Sequence, residues 1–205
     1  MSKIEYVTKS WNPICGCSRG CSYCYARRML KRFNKGCDKC KFFIPHYHIE
    51  RITRPLTWRK PQRIFLGSLT DLFAPKIELE WIEQIIKVIK ATPQHRYITL
   101  TKWPVYPKEF IGIKNLWTGR TIEGGNIPRA MEHRILNIEP WLRPLNEFNN
   151  IKEYQWVIIG AQTNPSVPVI HNDLVSFLDL EVPLFIKNNV GFGPTIQQYP
   201  DGLKL

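Results

Sequence analysis

Hydrophobic residues along this chain fall into short blocks of two kinds, separated by polar stretches rich in proline or glycine. Continuous apolar runs at Arg63–Gly67, Tyr97–Leu100, Leu116–Ile122, Ile135–Ile138, Trp156–Gly160 and Leu184–Ile186 predict short strands, and a further strand is predicted over Ile4–Thr8. Runs without alternation are expected where a parallel strand is covered on both faces. From Ile77 to Ala91 the pattern changes: Trp81, Ile82, Ile85, Ile86 and Ile89 recur at helical steps and mark one apolar face. Glu78, Glu80 and Glu83 near its start and Lys87 and Lys90 near its end complement the helix dipole. Two more helices are predicted, from Tyr25 to about Phe33 and from Asn172 to Leu180, with Asn172 as the cap. Strand–helix alternation of this kind implies right-handed crossovers and a parallel sheet, hence an α/β fold. No linker, repeat or low-complexity stretch divides residues 1–205, so a single domain is expected. In such folds the functional site lies at the carboxyl ends of the strands.

The chemistry concentrates near the first predicted strand. Cys17-Ser-Arg-Gly-Cys21-Ser-Tyr-Cys24 places three thiols inside one short turn, where disulfides, zinc or an iron–sulfur cluster could each explain them. Met1-Ser-Lys-Ile-Glu-Tyr6 is polar, and runs such as Val157–Ala161 are too short to cross a bilayer, so the expectation is a soluble protein of a reducing cytoplasm with no membrane partner. Zinc sites usually pair one CxxC with a second CxxC or with two histidines, whereas the spacing here is asymmetric and favours iron and sulfur. Three thiolates can hold three irons of a 4Fe-4S cube and leave the fourth open to a small molecule.

The CxxxCxxC spacing, with Tyr23 ahead of the last cysteine, resembles the signature of the radical S-adenosylmethionine (radical SAM) superfamily. A wider likeness, to a phage-associated three-cysteine-motif family of unknown function, runs through Trp11-Asn-Pro, Gly20–Ala26, Trp58–Pro61, Ile64–Phe73, Leu100–Lys102, Ile138–Pro140, Trp156–Gly160 and Pro183–Lys187. The chain departs from those relatives in a shorter gap between the first two cluster cysteines and in an additional Cys15. The resemblance implies an open partial (β/α)6 barrel in which Cys17, Cys21 and Cys24 hold a 4Fe-4S cluster. S-adenosylmethionine would be cleaved reductively there to a 5′-deoxyadenosyl radical that abstracts hydrogen, and an electron donor is the implied partner. It also implies that Tyr23 lies against the adenine, that Trp156–Gly160 lines it, and that Gly67–Asp71 lies near the cofactor's amino group. Ser68 and Asp71 can accept from an ammonium, although Asp71 could equally cap a turn. Thr121 and Glu123, at the end of a strand, are candidates for the ribose hydroxyls. Glu139 ends an apolar strand and needs either a ligand or a partner such as Lys102 or Arg120. Lys102 and Lys187 end strands too and could reach an anionic group. His95, His133 and His171 have no partner spacing and receive no role.

Residues 34–62 read as a basic insertion after the first helix. Cys37 and Cys40 there form a separate CxxC, which with Cys15 or with His46 and His48 could complete a second site for zinc or an auxiliary cluster. Charge points to the same half of the chain. The net charge is +12, and residues 1–63 hold 15 basic against 3 acidic side chains while the remainder is balanced, so the whole excess accompanies the cysteines. Arg27, Arg28, Lys31 and Arg32, with aromatics Phe42, Phe43, Tyr47 and Trp58 interleaved, suggest a polyanion approaching this face, DNA or RNA. The expected activity is therefore radical modification of a nucleic acid base or sugar. The alternatives are a small-metabolite or peptide substrate, and a non-catalytic metal-bearing nucleic-acid module.

Overall fold

The computed structural model describes residues 4–105, 108–163, 165–169, 171–193 and 195–205. Internal contacts divide the chain into two compact units, one over 1–117 with Leu205 and one over Thr118–Lys204.

In the first unit a strand β1 (Lys9–Trp11) leads through Pro13 into β2 (Ile14–Cys15), followed by helix α1 (Tyr25–Arg32), the four-residue helix α2 (Asp38–Lys41) and β3 (His46–Tyr47). Then come β4 (Arg63–Leu66), helix α3 (Leu79–Ala91) and β5 (Arg96–Thr101). β4 pairs in parallel with both β1 and β5, while β2 and β3 form a small antiparallel hairpin that sets Cys15 opposite His46. The first predicted strand is displaced: residues 4–8 form a turn in which the Val7 amide bonds to the Ile4 carbonyl and the Tyr6 carbonyl accepts from the Arg63 guanidinium. Tyr6 and Val7 are buried as their apolar character requires, but in that turn, and ladder pairing starts at Lys9. α3 fulfils its periodicity. Ile82, Ile85, Ile86 and Ile89 face Ile64, Leu66, Trp11 and Tyr97, forming the main core of this unit.

β6 (Leu116–Ile122) begins at the unit boundary. The second unit continues with β7 (Gly125–Asn126), β8 (Ile135–Ile138), β9 (Leu145–Glu147), β10 (Trp156–Ile159), β11 (Gln162–Thr163), β12 (Ser166–Val167), helix α4 (His171–Leu178) and β13 (Leu184–Ile186). β6, β8, β10 and β13 are successive parallel neighbours. Leu136, Ile138, Val157, Ile159, Leu184 and Ile186 pack on Leu174 and Phe177 of α4. α4 opens at His171, so Asn172 lies within the helix and not ahead of it.

The seven-strand order is β1-β4-β5-β6-β8-β10-β13. This overturns the (β/α)6 barrel. Among the described residues only the β1–β4, β4–β5 and β10–β13 connections contain α-helix, and the remaining three do not. The reason is in the linking segments. Pro104 and Pro107 interrupt 102–115, Gly124, Gly125 and Pro128 interrupt 123–134, and Pro140 and Pro144 interrupt 139–155. Gly124 has φ +117, and a Cβ there would lie 2.0 Å from the Arg143 carbonyl oxygen, so a helix former could not replace it.

If α3 holds the first unit together by burial, Ile85→Ala, at a side chain with no exposure, should cost about 2–5 kcal/mol. Leu79→Ala, at 51 % exposure on the same helix, should stay within about 0.5 kcal/mol. Urea unfolding of the two variants checks this.

Candidate metal centres

Cys37 is the N-cap of α2, and its sulfur accepts from the Cys40 amide at 3.5 Å, so the CxxC turn aims both sulfurs the same way. His46 lies on β3 and His48 two residues on, a spacing that puts both rings on one face of an extended chain. The four ligand atoms of Cys37, Cys40, His46 and His48 all lie within 4.8 Å of one another. His46 Nε2 is 3.4 Å from Cys37 Sγ and 3.5 Å from Cys40 Sγ, and His48 Nε2 is 3.4 Å from Cys40 Sγ. Sulfur and imidazole nitrogen at ordinary Zn²⁺ bond lengths, placed at tetrahedral corners, are about 3.6 Å apart.

The far side of each ring agrees. His46 Nδ1 lies 2.8 Å from the Ile44 carbonyl and His48 Nδ1 lies 2.9 Å from Glu50 Oε1, partners that place the proton on Nδ1 and leave Nε2 free to ligate. Burial, with Arg51 and His46 adding, lowers the His48 pKa despite Glu50, which keeps the ring neutral as a ligand must be. Burial pushes the Cys40 thiol up to about 12, with the neighbouring sulfurs of Cys15 and Cys37 adding to the effect. A thiolate so placed needs a cation. These four residues could hold a metal ion such as Zn²⁺. Cys15, weighed from sequence as an alternative ligand, stands beside them but outside the set: it is fully buried and its sulfur accepts from the Arg51 guanidinium at 3.1 Å.

The three-thiol loop leaves β1–β2 through Gly16, whose φ is +89 and whose Cβ, if present, would lie 2.3 Å from the Ile44 carbonyl oxygen. Only glycine fits there. The Cys17 amide donates to the Phe43 carbonyl, and the Gly16 amide donates to the Leu69 carbonyl, while Thr70 Oγ1 donates to the Gly16 carbonyl at 2.6 Å. The loop is thus sewn to the Cys/His knuckle on one side and to the segment after β4 on the other. Cys17, Cys21 and Cys24 are each half-buried. Cys24 caps α1 and accepts from the Arg27 amide at 3.4 Å, and Cys17 accepts from the Arg19 amide at 3.5 Å. Burial raises the Cys17 pKa, and Asp71 and the other two thiols add to the rise against the Arg19 amide. Among the described residues these three sulfurs do not form a group within 4.8 Å as the knuckle ligands do.

β1, β4 and β5 run parallel, so the segments after them share one edge, and the predicted residues of this unit gather there. The Lys102 ammonium lies 5.4 Å from the centre of the Tyr23 ring. Arg19 lies over Trp103 at 5.4 Å and donates to the Lys102 carbonyl at 3.0 Å. Ser68 Oγ donates to Asn12 Oδ1 at 3.1 Å, and the Ser68 carbonyl accepts from the Tyr25 hydroxyl. Asp71 is buried. Its Oδ1 accepts from Thr101 Oγ1 at 2.7 Å and from the Phe73 amide at 3.1 Å, and Oδ2 from the Lys102 amide at 3.0 Å. Burial raises its pKa in spite of these donors. Asp71 therefore clasps the ends of β4 and β5 together. Arg27, Arg28, Lys31 and Arg32 are exposed on α1.

In the second unit Thr121 Oγ1 accepts from Asn137 at 3.3 Å, and the Glu123 carbonyl accepts from the Leu142 and Arg143 amides. Glu139 forms an ion pair with Lys187. A Cβ at Gly160 would lie 2.8 Å from the Glu139 carboxyl carbon, so the glycine admits the carboxylate. Sequence reasoning did not single out Glu50 or Arg51 as supports of the knuckle. An acid two residues beyond a His-x-His pair was the available signal for Glu50; Arg51 reaches Cys15 only through the fold.

The family described as "Protein of unknown function (DUF5131)" matches residues 1–181. The chain belongs to that family. No curated protein and no solved structure matches it. The DUF5131 span takes in all six cysteines and both knuckle histidines, and ends before Lys187.

Titration with Zn²⁺ against a competing chelator should show one ion bound per chain at the knuckle, lost in Cys40→Ser. Glu50→Ala, which removes the His48 partner, should weaken that ion by about 10–100-fold while leaving stoichiometry at saturation unchanged. An unaltered affinity would mean that Glu50 does not orient the ring.

Proposed function

We propose that this DUF5131 protein is a radical SAM-type iron–sulfur enzyme acting on a nucleic acid, with Cys17, Cys21 and Cys24 holding a 4Fe-4S cluster and the Cys37–Cys40–His46–His48 knuckle holding a structural zinc ion. The observation that carries the reading is the difference between the two thiol groups. The knuckle offers four converging ligands, the number that a tetrahedral structural zinc site takes. The loop offers three half-buried sulfurs, outside the converging Cys/His group found among the described residues, at the carboxyl edge of three parallel strands. A donor set of three thiolates fits a cluster with one iron left for S-adenosylmethionine. When bound, such a cluster supplies the electron that cleaves the sulfonium and yields a hydrogen-abstracting radical.

The chain's own residues bind and orient. The Gly16 wedge and the Thr70 hydrogen bond hold the loop in register, and Asp71 holds the Thr101–Lys102 turn beside it. The Arg19 amide donates to the Cys17 sulfur, and the Arg19 side chain ties the loop to the Lys102 carbonyl. Tyr23, held beside Lys102, presents an aromatic surface suited to the adenine, and Ser68 lies on the same edge for the cofactor's amino group. Support for a polyanionic substrate comes from the charge excess confined to residues 1–63 and from the exposed Arg27, Arg28, Lys31 and Arg32. Among the described residues no helix is long and apolar enough to cross a membrane. The zinc knuckle also fits a second reading, a nucleic-acid binding module without catalysis.

Oxygen-free reconstitution decides between them. About four irons and four sulfides per chain are expected, together with 5′-deoxyadenosine when S-adenosylmethionine and a strong reductant are added. Cys17→Ala should abolish both and leave the zinc ion in place. A fully loaded cluster that never cleaves the cofactor, or a loop that takes up no iron, sinks the enzyme and leaves the module.

A further inference from the structure

The segment from Tyr25 to Ile44 exposes more aromatic surface than a small finger needs for folding. α1 turns Ala26 and Leu30 inward, where they meet Cys40, Phe43 and Leu69. That leaves Phe33, at the C-cap of α1, 61 % exposed, and Phe42, at the C-cap of α2, 67 % exposed. Each exposed ring has a cation over one face: the Arg32 guanidinium is 5.1 Å from the Phe33 centroid, and Lys41 Nζ is 5.7 Å from that of Phe42. Arg27 covers the buried Phe43 in the same way at 5.3 Å. Arg27, Arg28, Lys31, Arg32, Lys35, Lys39 and Lys41 all lie in this segment, against Asp38 as its one acidic residue. α2 is far too short to persist in water unaided, so the orientation of Phe42 depends on the two cysteines that bracket its start.

We infer that this metal-held finger is a stacking platform for unpaired nucleotides, Phe33 and Phe42 receiving bases while the surrounding lysines and arginines track the phosphates. The inference rests on the nucleic-acid reading above and narrows it to a single strand. A duplex offers phosphates but hides its base faces, which would leave two exposed phenylalanines without use. An unpaired strand offers both charge and flat apolar faces, and a guanidinium or ammonium already held on one side of a ring strengthens the stack on the other. A membrane surface is the competing target, since Tyr25, Met29 and Phe33 are exposed one turn apart along α1; Arg27, Arg28, Lys31 and Arg32 crowd that strip with charge, and the vesicle arm of the test separates the two.

The test uses the full-length zinc-loaded protein, fluorescent oligonucleotides of one sequence in single-stranded and duplex form, and anionic lipid vesicles, at several salt concentrations. The single strand should bind more tightly than the duplex, with log affinity falling by about 0.7 per neutralised phosphate against log salt. Phe33→Ala and Phe42→Ala should each weaken single-strand binding by about 5- to 100-fold without altering zinc content or thermal unfolding. Replacing Arg28 and Lys31 should flatten the salt slope. Equal affinity for duplex, unchanged binding by both phenylalanine variants, or binding to vesicles alone would overturn the platform. Cys17→Ala, which cannot assemble the cluster, should still bind the single strand. Failure of cofactor cleavage therefore removes the catalytic reading without touching this one, and absence of strand binding removes the platform without touching the cleavage result.

Discussion

Two sulfurs and two imidazole nitrogens gathered within 4.8 Å of one another, a set that could hold a metal ion, are the constraint around which the β2–β3 hairpin and α2 are arranged. A two-residue-a-side hairpin and a four-residue helix bury too little apolar surface to outweigh their own ordering entropy. A metal ion held by the four side chains would supply what burial cannot. The backbone they fix is also the wall against which Gly16 lies, with no room for even a methyl group. The three-thiol loop therefore inherits its position from the knuckle, and the segments after β4 and β5 are tied to it in turn by Thr70, Arg19 and Asp71.

Electrostatics and packing agree in this region. Burial raises the pKa of Cys15, Cys17 and Cys40. Arg51 reaches Cys15, the backbone amides of Arg19 and Cys40 reach Cys17 and Cys37, and Lys102 stands at Tyr23. Within the excess of lysine and arginine, Arg51 is turned inward to a sulfur, while Arg27, Arg28, Lys31, Arg32, Lys39 and Lys41 stay on the surface of α1 and α2.

The strands and α3 were legible because their periodicity is a local consequence of burial: β6, β8 and β13 occupy the very residues their apolar runs mark. The barrel was not. Alternating apolar blocks imply parallel strands, but they do not say that a helix fills each return, and the prolines and paired glycines of the 102–115, 123–134 and 139–155 segments forbid it. The first strand was misplaced for a similar reason, since Tyr6 and Val7 bury themselves equally well in a turn.

At the candidate site, residue type and spacing alone determined that Cys17, Cys21 and Cys24 share a loop, that Cys37 and Cys40 share a turn, and that the charge lies with them. Spacing also brought His46 and His48 onto one face. Whether Cys15 or the histidines would complete the knuckle was settled by the hairpin register and by Arg51, 36 positions away from the sulfur it holds. Tertiary structure likewise gave Asp71 to Thr101 and Lys102, and Glu139 to Lys187. Ligand type and local spacing are properties of neighbouring residues, whereas the partner of a buried charge depends on which distant backbone is brought within hydrogen-bond reach, and that depends on how the whole chain packs.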